Sequence, residues 1–513
     1  ARRLPWGHAR HNRIRVDLSA DSGRLCPAHG HWRKEKVPEG RHRRMQHPCD
    51  EGNTMQQKNL ERDAIDFGRL NIPSLFIRLF VPTLLGLLFS AVLNLADGIF
   101  VGRGVGSDAL AAINVAAPIF MVCTGLAMMF GSGVSVVAAL HLSHGNIKAA
   151  NINMTQAVTV GVFVMTVIAA VVFVFPEHFG TLFGGSPELM PYVVGYLRYI
   201  TPGLPFIIVL VEGMFILRLD GAPNIAMGVN IAASILNIFL DWLFVFPFGW
   251  GIEGAAFATT LSQAIGALLI LYYLFFRTRT LHFYRPKFSR TAIRLTVRNV
   301  GYMSKLGAST LLGELALSFT MVVGNYAFIG RLHEDGVAAF SVTCYLCPLI
   351  FMFGNSIAQA ALPIMTFNYG AHNTGRVRQT VRLALLLGAV SGILMTLCGV
   401  FFSPEIVSLF LEDGLSSARL AVDGYPVYAS CIMFFTLNIV AIGLYQSVEK
   451  PRAASVFMLL RGFIFLFIAF MAMPRLMGDT GLWLAIPVTE AATFLVIVCH
   501  AVLTLGKKDK SAA

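Results

Sequence analysis

The stretch GIEGAAFATTLSQ at residues 251–263 returns in altered form as GDTGLWLAIPVTE at residues 478–490, which is 227 residues further along the chain. Three more pairs follow at a separation of 228 residues: FVGR (100–103) with FIGR (328–331), Pro176 and Glu177 with Pro404 and Glu405, and Pro223 with Pro451. Four pairs in the same order indicate an internal duplication, and weak internal symmetry of this kind is typical of membrane transporters.

The composition places both copies in a membrane. The 513 residues are 56% hydrophobic and only 13% charged, against about 25% charged residues in soluble domains. A helix needs about 20 apolar residues to cross a bilayer. Such runs lie near residues 73–101, 109–140, 149–175, 190–217, 222–246, 253–276, 301–329, 336–369, 378–403, 417–448, 452–473 and 481–505. The sequence therefore predicts an all-α membrane protein with twelve transmembrane helices, arranged as two pseudo-symmetric six-helix bundles around a central cleft.

Five segments follow from this division. Residues 1–54 form a basic leader without apolar periodicity, which is expected to be disordered, and Met55 is expected to be the natural start. The amino-terminal lobe covers residues 55–276, a cytoplasmic linker 277–300, the carboxy-terminal lobe 301–505 and a cytoplasmic tail 506–513. The leader explains much of the net charge of +12, so that charge does not indicate a nucleic-acid partner.

Positive charges predict the orientation, because Lys and Arg are retained on the cytoplasmic side. The linker region is the most basic connection and carries Arg277, Arg279, Arg285, Lys287, Arg290, Arg294, Arg298 and Lys305. Each half has an even number of spans, so both halves enter the membrane in the same sense and both termini lie in the cytoplasm. The predicted location is a bacterial inner membrane.

Polar residues inside the first half predict an ion site. Asp97, Asp241 and Thr259 each lie about six residues from the outer end of a span, hence at a depth of about 9 Å. Asn237 is one turn from Asp241, and Asn94 stands in a similar relation to Asp97. Oxygen ligands at one level suit a proton or a small hard cation such as Na⁺. A carboxylate that caps a helix end or bonds to backbone is the alternative for either Asp.

The second half keeps the helices but not these acids. Asn325 takes the place of Asp97, and Asp241 falls opposite Ile468 or Ala469. A pocket that only one half retains points to a specialised task rather than to a structural need.

Four further charged residues fall within the spans, where an isolated charge is costly. Glu314 lies near the middle of the seventh span and is a candidate second acidic site, with a hydrogen-bonded structural role as the alternative. Arg461 and Glu490 lie at a similar depth of about 14 Å on the last two spans. They predict a structural ion pair, with drug contact as the alternative. Glu212 is expected to reach cytoplasmic water from the inner end of the fourth span.

The chain resembles the multidrug and toxic compound extrusion (MATE) family over residues 66–505. The resemblance is carried by LADGIFVGR at 95–103, by LRLDGAPNIAMGVNIAASILNIFLDWLF at 217–244 and by GIEGAAFATTLS at 251–262. It implies that Asp97, Asn237, Asp241 and Thr259 form the cation or proton site of the amino-terminal lobe. It also implies export of amphipathic, mostly cationic drugs or dyes in exchange for H⁺ or Na⁺.

These features predict a monomeric cation-coupled antiporter with no cofactor beyond its coupling ion. An enzyme is not expected, because motifs such as HExxH and GxSxG are missing from the sequence. A flippase for polyprenyl-linked saccharides or another lipid-like substrate remains the alternative. Such a protein would be expected to line its cleft with several Arg or Lys.

Overall fold

A computed structural model describes residues 66–105, 107–183, 187–285, 289–411 and 416–510. Within these ranges, the side chains of residues 92–99, 102–103, 107–108, 110–111, 114, 334 and 505–510 are outside the description. The predictions for the leader and for Met55 therefore lie outside the described residues.

Helices account for nearly all of the described chain, and no β-strand occurs among the described residues. Eleven of them are long and apolar enough to cross a membrane, and a pair bent by 45° makes a twelfth span. The spans are Ile72–Gly104 (span 1), Ser107–Ser143 (span 2), Ile147–Val174 (span 3), Met190–Leu219 (span 4), Pro223–Val245 (span 5), Gly251–Phe276 (span 6), Arg290–His333 (span 7), Asp335–Gly370 (span 8), Thr374–Phe401 (span 9), Ser416–Ala429 with Ile432–Ser447 (span 10), Pro451–Met477 (span 11) and Asp479–Lys510 (span 12). The predicted all-α, twelve-span fold is confirmed.

The two halves start their helices with the same local chemistry. Asn146 caps span 3 by accepting a hydrogen bond from the Ala149 backbone N–H, and Asn373 caps span 9 in the same way from Arg376. Spans 5 and 11 begin at Pro223 and Pro451, where a missing N–H costs nothing. The duplicated prolines Pro223 and Pro451 are therefore helix starts.

Three boundaries differ from the sequence prediction. Span 7 begins at Arg290 rather than near residue 301, with the Ser289 side chain as its cap, so the non-helical part of the linker is short. Spans 7 and 8 belong to one helical stretch, Arg290–Gly370, which is kinked at His333 (φ 54°), the last residue of span 7. Span 10 is broken between Ala429 and Ile432.

The halves pack on each other at one end of the bundle, which we call the linker end because span 6 ends and span 7 begins there. One apolar core joins first-half residues such as Val137 with second-half residues such as Met303 and Leu306. At the opposite end each half has a separate cluster, one around Phe244 and one around Phe340. The described core therefore closes the linker end of the cleft and leaves the other end divided.

Spans 2 and 7 form the closest contact between the halves. A methyl group added at Gly133 would overlap the Met303 carbonyl, and one added at Gly307 would overlap the carbonyl of Met129. Glycine allows such close backbone approach between membrane helices. Beside these residues, the hydroxyls of Ser132 and Thr310 lie 3.1 Å apart.

Candidate functional site

A buried polar stripe runs along span 5. Asn230, Ser234, Asn237 and Asp241 are each 8% exposed or less. Their spacing of four, three and four residues places them on one face of the helix. Polar groups in the interior of a membrane protein require partners or a function.

The most completely buried hydrogen bond of the stripe joins two predicted site residues. The Asn237 Nδ2 donates to Asp241 Oδ2 at 2.7 Å, and both side chains are almost completely buried. This bond satisfies one carboxylate oxygen and fixes the direction in which the carboxylate points. The pair is thus a rigid, oxygen-bearing element inside the first half.

The structure describes the side chain of only one of the other predicted ion-site residues, Thr259. The Thr259 hydroxyl donates to the Ala255 carbonyl of its own helix at 3.1 Å. Asn94 and Asp97 lie on span 1, outside the residues whose side chains are described. The joint pocket of Asp97, Asn94, Asn237, Asp241 and Thr259 stays a prediction.

The linker-end part of the stripe holds span 1. Asn230 Nδ2 donates to the Gly86 carbonyl at 2.6 Å and to Ser90 Oγ at 2.9 Å. Gly86 lies one turn after Pro82, which interrupts the hydrogen bonds of span 1. Span 5 therefore contacts span 1 at a position where that helix is intrinsically able to bend.

A small cavity lies between the halves, on the linker side of their interface. Its residual volume of about 40 Å³ has room for a few water molecules. Spans 2, 4, 7, 8, 10 and 11 contribute to its wall, which includes Met128, Ser132, Phe215, Thr310, Glu314, Phe351, Asn355, Gln359, Gln446 and Met458. A drug-sized molecule requires the halves to separate at this place.

Glu314 is the acidic residue of the cavity wall. It lies on span 7, and its Cβ faces Gly125 of span 2. None of the described residues forms a hydrogen bond or ion pair with its carboxylate. The alternative of a hydrogen-bonded structural role therefore has no support among the described residues.

Arg218 is a buried charge that the candidate residues predicted from the sequence did not include. It is 6% exposed, and its Nη1 donates across the interface to Gln359 Oε1 on span 8 at 2.5 Å. The guanidinium lies 4.9 Å from the ring centre of Phe215. Phe215 and Gln359 both line the cavity. The sequence carries little signal, because Arg218 comes directly after the predicted apolar run at residues 190–217, whereas the helix continues to Leu219.

Arg461 and Glu490 form a buried pair in the second half. Arg461 Nε lies 2.8 Å from Glu490 Oε1, and both side chains are 4% exposed. Asn438 donates to Glu490 Oε2 at 2.8 Å, and the guanidinium lies 4.2 Å from the Phe435 ring centre. Arg461 sits in a π-helical turn, residues 460–464. Neither charged residue lines the cavity.

Glu212 does not reach water, contrary to the expectation from its position along span 4. The residue is 0% exposed, and neither carboxylate oxygen has a hydrogen-bond partner among the described residues. Its Oε2 faces Gly161 of span 3, and its Cα faces Gly131 of span 2. The side chain points into the first half because span 4 buries this face, which depth along the helix does not reveal.

Known proteins share this fold, and a family model matches the sequence. The MatE family model matches residues 82–243 and again residues 310–471, so the second match begins 228 residues after the first, as in the sequence repeats. A FAD transporter of Shewanella oneidensis is 26% identical over 443 residues, covering 84% of this chain and 95% of that protein. The multidrug export protein MepA of Staphylococcus aureus is 22% identical over 437 residues, covering 84% and 94%.

Two solved structures show the fold alone at this level of identity. An outward-facing conformation of a multidrug resistance MATE family transporter of the MOP superfamily superimposes with a TM-score of 0.79 at 22% identity, covering 87% of this chain and 99% of that one. A MOP superfamily transporter from Pyrococcus furiosus, described as having a binding pocket of reverse polarity, superimposes with a TM-score of 0.79 at 21% identity. The match covers 86% of this chain and 98% of that one.

Proposed function

The chain belongs to the MATE family of multidrug efflux transporters, and we propose that it exports amphipathic, mostly cationic organic compounds while H⁺ or Na⁺ moves inward. Members of this family are transporters, not enzymes. The coupling ion, the substrate class and the roles of single residues are the substance of the proposal.

The coupling proposal depends on the buried position of Asp241. Its carboxylate is buried within an apolar span and held by Asn237. The corresponding positions of the second half, Ile468 and Ala469, are apolar, so the fold does not require an acid there. An enclosed carboxylate that takes up and releases a cation changes the charge of the first half, and this change can favour one packing of the halves over another.

The packing of the halves suits one state of alternating access. With the basic linker in the cytoplasm, the closed linker end is the cytoplasmic end, and both termini lie on that side of a bacterial inner membrane. The divided opposite end then opens outward. Spans 2 and 7, which meet at Gly133 and Gly307, are the helices that must separate for the inward-open state.

Glu314 is the proposed contact for a cationic substrate. It borders the cavity between the halves together with Phe215, Phe351, Met128 and Met458. Aromatic and Met side chains adapt to flat apolar molecules, and a carboxylate among them attracts a positive charge. A substrate would reach these residues when the linker end opens.

The energetics are adequate for export. One positive charge moving inward through 100 mV releases about 2.3 kcal/mol. A tenfold ion gradient adds about 1.4 kcal/mol. One or two coupling ions can therefore support a substantial outward gradient of substrate.

The test is dye transport in proteoliposomes, driven separately by a pH gradient and by a Na⁺ gradient. The wild-type protein should transport with one of the two gradients, and Asp241→Asn and Asp97→Asn should abolish that transport while leaving folded protein in the membrane. Asp423→Asn is the matched control, because Asp423 lies exposed on span 10, and it should transport like the wild type. Gradient-driven transport at wild-type rates by both Asp241→Asn and Asp97→Asn would refute the coupling proposal.

The flippase alternative is less well supported. Among the described residues that line the cavity, none is Lys or Arg, whereas a pyrophosphate group calls for several. Two basic residues stand behind this lining: Arg218 contacts Phe215 and Gln359, and Arg461 contacts Met458.

A further inference from the structure

Arg218 is a buried cation whose described polar partner is a neutral amide. Its guanidinium donates to Gln359 and lies over Phe215. The nearest acid in sequence is Asp220, whose two oxygens accept from the Tyr273 hydroxyl and from the backbone N–H groups of Arg279, Thr280 and Leu281. A buried charge without a counter-ion is strongly unfavourable, so an anionic group brought to this place would be attracted.

Gln359 is the part of the wall that separates Arg218 from the cavity. It is 6% exposed, and its Nε2 has no hydrogen-bond partner among the described residues. The amide is therefore held through its Oε1 by Arg218 alone. A ligand anion that replaced this oxygen would exchange a neutral acceptor for a charged one, and charge-assisted hydrogen bonds are roughly twice as strong.

The same cavity carries Glu314 in its wall. Opposite charges thus border one space between the halves, Glu314 directly and Arg218 through Gln359. A molecule with a single positive charge uses only the first of them. A molecule that also carries an anionic group can satisfy both.

We propose that Arg218 is a specificity-determining residue, which recognises a carboxylate on amphipathic substrates that also carry a positive charge. This inference rests on the proposed export function and specifies its substrate class further. Arg218 then sets how well zwitterionic amphiphiles are transported relative to simple cations. The carboxylate binds Arg218 after Gln359 turns away, and the cationic group faces Glu314.

Rhodamine B and its ethyl ester form a suitable pair of probes, because the ester has the same cationic ring system but no free carboxylate. The measured quantity is the ratio of zwitterion transport to ester transport in proteoliposomes. Arg218→Gln should lower this ratio about tenfold relative to the wild type, which corresponds to the loss of one charge-assisted hydrogen bond. Arg218→Lys, which keeps the positive charge, should lower the ratio less than Arg218→Gln does. Arg452→Gln, an exposed position at the start of span 11, should leave both rates unchanged.

Gln359→Glu gives an independent test if Arg218→Gln does not fold. This variant places a carboxylate beside Arg218 and should lower the ratio in the same way, since the charge is then neutralised internally. Gln359→Ala separates recognition from mere closure of the interface. A pure latch would change the transport of both dyes equally and leave the ratio unchanged, whereas an anion site should show a raised ratio when the amide is removed.

These experiments distinguish failure of the Arg218 inference from failure of the proposed export function. A wild-type protein that transports the ester but not the zwitterion would overturn this inference and leave the export function standing. A ratio that is unchanged in both Arg218→Gln and Gln359→Glu would overturn it as well. A wild-type protein that transports neither dye would overturn the proposed function, and this inference with it.

Discussion

At the scale of single residues, burial decides what each charge can do. Asn237 and Asp241 are held together within one helix face, Arg461 and Glu490 across two helices. Arg218 is bound to an amide, and Glu212 lies in an apolar surrounding. The first pair is the proposed ion-responsive element, while the second pairs opposite charges and is suited to a structural role.

The buried pair of the second half should be strongly stabilising as a pair. Glu490→Gln leaves the Arg461 guanidinium buried without its counter-charge and should lower the free energy of unfolding by about 3–5 kcal/mol. Thermal unfolding of the purified protein in detergent measures this loss. Asp479→Asn is the control, because its pair with Arg331 is exposed and should be worth less than about 1 kcal/mol. Equal effects of the two substitutions would contradict the assigned role.

Glu212 should be replaceable by an apolar side chain of similar size. Glu212→Met removes two buried oxygens that have no described partner, so the free energy of unfolding should rise by about 1–3 kcal/mol. Unfolding curves and dye transport should be measured together. A less stable protein that has also lost transport would show instead that the Glu212 carboxyl takes part in function.

At the scale of the helices, sequence patterns predicted most of the boundaries. Asn146, Pro223, Asn373 and Pro451 are local signals, and they determine the helix starts without help from tertiary structure. The π-helical turn at Arg461 and the break of span 10 depend on packing between helices, for which the sequence carries no local signal.

The same distinction applies to the candidate site. A spacing of four residues predicted that Asn237 and Asp241 share a face, and equal depth brought Arg461 and Glu490 together. Depth along one helix does not reveal which neighbour covers a side chain. For this reason Glu212 was expected to reach water and Arg218 was missed, although span 4 buries both.

Asn230 should stabilise the packing of span 1 on span 5. Asn230→Ala removes the hydrogen bonds to the Gly86 carbonyl and to Ser90, so the free energy of unfolding should fall by about 1–2 kcal/mol. Asn224→Ala is the control on the same helix, because Asn224 is exposed. A thermal unfolding experiment in which both variants behave alike would argue against this contact.

At the scale of the whole molecule, duplication gives two similar halves, and the proposed functional residues lie where the sequences of the halves differ. The first half has the polar stripe of span 5, and the second half has Glu314 facing the cavity and the Arg461–Glu490 pair. The halves meet through Gly133 and Gly307 at the linker end, where the backbones of spans 2 and 7 come into close contact.

Gly307 should be required for closure of the linker end. Gly307→Ala introduces a methyl group against the Met129 carbonyl, whereas Gly301→Ala on the same helix meets nothing within 4 Å. With Thr310→Cys as the only cysteine, a membrane-impermeant maleimide applied from the cytoplasmic side should label the Gly307→Ala protein several-fold faster than its parent or the Gly301→Ala control. Equal labelling of the three proteins would show that this contact does not close the cleft.

The displacement of the coupling ion by substrate tests the central claim most directly. Purified protein in weakly buffered detergent solution, or loaded with radioactive Na⁺, is mixed with tetraphenylphosphonium, and the released ion is measured. The wild-type protein should release H⁺ or Na⁺ in a fixed ratio to bound substrate, and Asp241→Asn should bind the substrate without releasing that ion. Undiminished release from Asp241→Asn would contradict the assignment of the coupling site to the polar stripe of span 5.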